Sequence, residues 1–214
     1  MLLSLLRHVH IFAGCIALLT LWIPLFSAKG GTLHRQTGRV FVWSMGVLCA
    51  AAWILCAIRF ADPGRRVFTT FLAFVSLLGW HSASSGWRVV AFREERQRHR
   101  AIYDYLLSSG FLLASLSLGA WGVMRGNWLF VGFAGIGAVT SARMLQYWLK
   151  RTHGKHDYIA QHLSSMLVAS ITALTALLVV NARHFLPSAP MLLVWLGPAA
   201  LGTPVISFWR RRYQ

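Results

Sequence analysis

Seven blocks of mostly apolar sequence, at 9–26, 40–58, 67–87, 105–124, 128–148, 158–181 and 189–209, leave this chain few ways to fold. Each is close to the roughly 20 residues a helix needs to cross the hydrocarbon of a bilayer. In lipid no water is present to bond the backbone, so a spanning segment is either a helix or a strand of a closed barrel. Barrel strands alternate apolar and polar residues, and no block does so. The pattern predicts an all-α fold: a polytopic transmembrane helical bundle of about seven helices forming one domain over residues 1–214. Its expected partner is the lipid bilayer. Composition agrees, with 57% hydrophobic and 12% charged residues, against about 25% charged in a soluble domain.

The connections between blocks are short and basic. Fifteen of the 21 Lys and Arg residues fall on one side of the predicted membrane, among them Lys29, Arg35, Arg39, Arg88, Lys150 and Arg210. Basic loops stay in the cytoplasm, so the expected orientation is N-terminus out and C-terminus in. The formal net charge of +16 therefore reads as topology. A nucleic-acid binder would need a soluble basic face instead, and nucleic acid is excluded as a partner. The first block has no basic stretch ahead of it and no small-x-small cleavage site before Lys29, so it reads as a retained helix and not as a signal peptide. The third block is the weakest, because the polar run His81-Ser82-Ala83-Ser84-Ser85-Gly86 interrupts it. A re-entrant segment there would leave six helices and invert the topology downstream.

Some features report packing alone. Cys15, Cys49 and Cys56 lie inside apolar blocks with no CxxC pair, which excludes a thiolate metal site or a disulfide framework. Ala134, Ala138 and Ala142 recur every four residues, a spacing that lets helix backbones approach. Several tryptophans fall near block ends, as interfacial anchors do.

Chemistry is expected from ionisable groups drawn into apolar sequence, which are costly in a membrane. His81 and His162 are the clearest, at one predicted depth near the inner face. Two inward-pointing imidazoles are what a six-coordinate haem b requires, with Arg39, Arg88 or Arg143 placed to neutralise propionates. His10 and His184 would form a second, outer pair, and two stacked haems would make a path for membrane electron transfer. A different grouping, His153-x-x-His156-Asp157, offers ligands for a zinc-dependent intramembrane hydrolase. Against it stand the absence of HExxH and the six-residue step to His162. A small-solute or ion transporter is the remaining reading. No acidic residue lies deep in a block, which argues against proton coupling through a carboxylate. Arg143 has Asp104 and Asp157 as possible ion-pair partners.

The stretch Lys29-Gly30-Gly31-x-x-His34-Arg35-x-x-Gly38-Arg39, with His162-x-x-x-Met166, Asn181, Trp195, Gly197-Pro198 and Gly202-x-Pro204, resembles a family of bacterial multi-pass proteins described as predicted membrane proteins. The likeness covers the first hairpin and the last two helices. It implies multi-pass architecture and a bacterial inner-membrane location, and carries no catalytic residue with it.

Overall fold

The computed structural model describes residues 1–94, 102–150, 152–154, 156–185 and 187–212. Every regular element among them is helical, and seven helices are long and apolar enough to cross a membrane. The chain groups into two compact units, Met1–Trp80 and His81–Gln214, with one helix running through the division.

In the first unit, α1 (Leu2–Thr20) and the short α2 (Trp22–Phe26) make the first span, and α3 (Thr32–Arg59) makes the second. α3 starts eight residues before the apolar block does, because helix geometry carries on into the basic connection. The His10 ring donates from Nδ1 to the Leu48 carbonyl at 3.0 Å, pinning the middle of α1 to the middle of α3. The Lys29-Gly30-Gly31-x-x-His34 motif closes the end of α2. Lys29 Nζ donates to the carbonyls of Pro24 (2.8 Å) and Leu25 (2.6 Å), and His34 Nδ1 donates to Pro24 at 3.2 Å. Those carbonyls have no partner within the helix, and a cation at a helix C-terminus also meets the negative end of its dipole. Gly30 takes φ +75, a backbone conformation that glycine adopts without steric cost.

A 3-10 turn at Pro63–Arg65, with Asp62 accepting from the Gly64 N–H at 3.0 Å, leads into α4 (Arg66–Ala91). Trp53 Nε1 donates to the Ala73 carbonyl at 3.2 Å. α4 is unbroken through His81–Gly86, so there are seven spans and not six. The polar run survives inside a span because it is buried against protein: His81, Ser82, Ser84 and Ser85 are each at most 3% exposed.

In the second unit, α5 (Ile102–Met124) and α6 (Trp128–Leu149) form a tight hairpin. Its turn uses Gly126 at φ +63, and Asn127 caps α6 by accepting from the Phe130 N–H at 3.3 Å. α7 (Asp157–Phe185) packs along α8 (Met191–Arg211), which contains Pro198 and Pro204. Four ties gather one end of this unit. Arg88 pairs with Asp104, Tyr105 Oη donates to the Trp148 carbonyl at 3.1 Å, Lys150 pairs with Asp157 at 2.8 Å, and the His162 ring donates to the Gly86 carbonyl at 2.8 Å.

Candidate functional site

Three helices of the second unit present residues at the spacing i, i+3, i+4, i+7 to one shared space. α6 contributes Ile136, Val139, Thr140 and Arg143; α7 contributes Gln161, Ser164, Ser165 and Val168; α8 contributes Thr203, Ile206, Ser207 and Arg210. This is the stripe a helix turns toward a neighbour. His81 and Ser82 of α4 complete the wall, and the cavity encloses about 260 Å³. Six hydroxyls, one amide, one imidazole and two guanidiniums line it, with no carboxylate.

Thr140, Ser164 and Thr203 bond back to their own helices, but part of this polarity is left unbonded. His81 is 1% exposed, and neither ring nitrogen has a hydrogen-bond partner. Its ring lies against that of Phe111, at 4.9 Å between centroids. The Ser82 hydroxyl and Arg210 Nη1 are also buried without a partner. Leaving such a group unmade costs about 1–3 kcal/mol. Their convergence on one cavity points to a polar occupant that completes them.

The remaining residues singled out by sequence are distributed as follows. Arg143 lies at the exposed rim of the cavity, and neither Asp104 nor Asp157 is its partner. Arg88 is held by Asp104 and stacks over the rings of Phe92 and Tyr103, at 4.9 and 4.8 Å from their centroids. His162 turns away from the cavity to Gly86, so it does not share a lining with His81. His10 and Arg39 belong to the first unit, the latter exposed on α3; His184, exposed near the end of α7, belongs to the second.

The zinc grouping does not form. Among the described residues no set of three His, Cys, Asp or Glu side chains is placed to hold a metal. Asp157 is occupied by Lys150 and by the Gly154 N–H at 3.0 Å, His153 packs on the Tyr147 ring at 4.6 Å, and His156 is exposed. His153 stands 3.8 Å from Asp157, an ion-pair neighbour and not a shared ligand.

Arg210, Gln161, Thr140 and Thr203 carry the site but are not marked by sequence as site residues. Their signal is the polar stripe at helical spacing on three separate helices, weak in any one of them. No family model, curated protein or solved structure matches the chain.

Proposed function

We propose that this multi-pass membrane protein is a carrier for a small polar solute, which it binds in the cavity between α4, α6, α7 and α8. The observation that carries the reading is His81: an imidazole buried in a membrane-spanning helix, facing a cavity, with both nitrogens unbonded. Ionisable groups within spans mark substrate and ion pathways because burial without a role is costly.

Osmotic-shock light scattering on proteoliposomes tests the carrier reading, with glycerol, lactate and phosphate as solutes. One of them is expected to equilibrate faster through the wild type than through His81→Phe. Flux no greater than in empty liposomes for every solute ends it.

Haem b binding with electron transfer is the second reading, favoured by the same unligated His81. The Nδ1–H bonds of His162 and His10 to backbone carbonyls are of the kind that orient metal-bound histidines. The volume of the cavity weighs against it: pockets for drug-sized ligands run to roughly 300–1,000 Å³, and this one is about 260 Å³. A difference spectrum, dithionite-reduced minus oxidised, of protein purified from haem-supplied cells decides the matter; absence of Soret and α bands removes haem.

A further inference from the structure

Acids are scarce in this protein, five against 21 Lys and Arg. Among the described residues every acidic side chain already has a basic partner. Asp62 meets Arg65 at 2.9 Å, Asp104 meets Arg88 at 2.6 Å, Glu94 meets Arg93 at 3.3 Å and Asp157 meets Lys150 at 2.8 Å. Glu95 lies outside the described residues. Arg143 of α6 and Arg210 of α8 line the same cavity, and among the described residues neither is in an ion pair with a carboxylate; Asp157 acts on Arg210 only at longer range and is itself held by Lys150. Two guanidiniums sharing a cavity with no acid repel one another unless an anion stands between them.

We propose that the solute site is an oxyanion site selective for a phosphoryl group, gripped between Arg143 and Arg210, with His81 and Ser82 as the deeper donors. This rests on the solute-site reading of the same cavity and names its substrate class. The donors are graded by depth: Arg143 is exposed at the mouth, Arg210 is half-buried with Nη1 unpartnered, and His81 and Ser82 are fully buried at the wall. A guanidinium presents its N–H groups as a fork that fits two oxygens of a phosphate at once. A dianionic phosphoryl group with three terminal oxygens balances both arginines and leaves an oxygen for the imidazole or the hydroxyl. A monocarboxylate would leave one guanidinium uncompensated, and a neutral solute would leave both.

The phosphoryl group has two possible sources. Val139 and Thr203 at the mouth are exposed on membrane-spanning helices, so an anionic lipid headgroup can reach the arginines sideways. Free phosphate reaches them from water.

The test is calorimetric titration of the full-length protein in dodecyl maltoside and phosphate-free buffer, using two probes separately: inorganic phosphate and dihexanoyl phosphatidic acid. Binding of either is expected, weakened at least tenfold in Arg143→Gln and in Arg210→Gln and partly restored in Arg143→Lys. Phosphate alone binding assigns a soluble source; the short-chain lipid alone binding assigns a headgroup; both outcomes support the oxyanion site. Arg143 is exposed, so its glutamine variant is expected to keep the wild-type size-exclusion profile and serves as control for folding. The proposal is overturned if the wild type binds neither probe, or if both glutamine variants bind as it does. Binding without flux in proteoliposomes would sink the carrier reading and leave the site standing, whereas flux of a neutral solute without binding of either probe would do the reverse.

Discussion

Arg88 and Asp104 form a two-pronged ion pair between α4 and α5, Nε to Oδ1 at 2.6 Å and Nη2 to Oδ2 at 2.9 Å. The Asp104 side chain is 1% exposed and that of Arg88 is 17% exposed. The guanidinium lies over the aromatic faces of Phe92 and Tyr103. An arginine held this way is structural, and the pair fixes where the α4 wall of the cavity stands relative to α5.

Removing one member of a buried pair leaves the other charge uncompensated and typically costs about 3–5 kcal/mol. Asp104→Asn is therefore expected to lower the thermal midpoint in detergent sharply, and Arg88→Met together with Asp104→Leu is expected to recover much of the loss. A midpoint for Asp104→Asn equal to that of the wild type would show that the pair holds nothing together.

His81 should behave in the opposite way. Its two buried nitrogens have no partner, and Phe111 lies against its ring. His81→Phe removes the unsatisfied groups while keeping an aromatic contact, so stability is expected to hold or to rise by about 1 kcal/mol, while solute binding is lost. A large fall in thermal midpoint would mean instead that the imidazole is a bonded part of the core.

Where α7 meets α8, a Cβ added at Gly202 would overlap the Ile171 side chain. Gly202→Val is expected to force the two helices apart, costing about 1–3 kcal/mol as overpacking does. Thr203, its neighbour, lines the cavity, so phosphate affinity should fall with stability. Unchanged melting and binding would mean that Gly202 and Ile171 do not approach closely.

Orientation is testable through the connections. Fifteen of 21 basic residues on one side lead us to expect the cytoplasm there. Alkaline phosphatase fused after Gly64 should be active and fused after Gly154 inactive; the reverse pattern would invert the protein.

Much of the architecture was legible from hydropathy, because a chain in lipid must satisfy each backbone group within its own segment. Apolar length thus reports a helix without reference to the rest of the fold. The doubtful third span shows the limit. His81–Gly86 reads as an interruption because burial against protein, and not lipid, is what makes its polar side chains tolerable. The histidines show the same limit at the level of the site. Sequence put His81 and His162 at one depth, but only packing decided that His81 faces a cavity while His162 bonds Gly86.

What the sequence by itself determined is that this protein is helical, with about seven spans, and carries most of its positive charge in or near the connections, since each of these follows from short-range composition. Which basic residues find a carboxylate was decided only by tertiary structure. Arg88 meets Asp104 from 16 residues away, and Arg143 and Arg210, 67 positions apart, share a cavity with no acid among its described lining residues. Charges act through distance in space, and that distance is set by how the stripes of α6, α7 and α8 face one another.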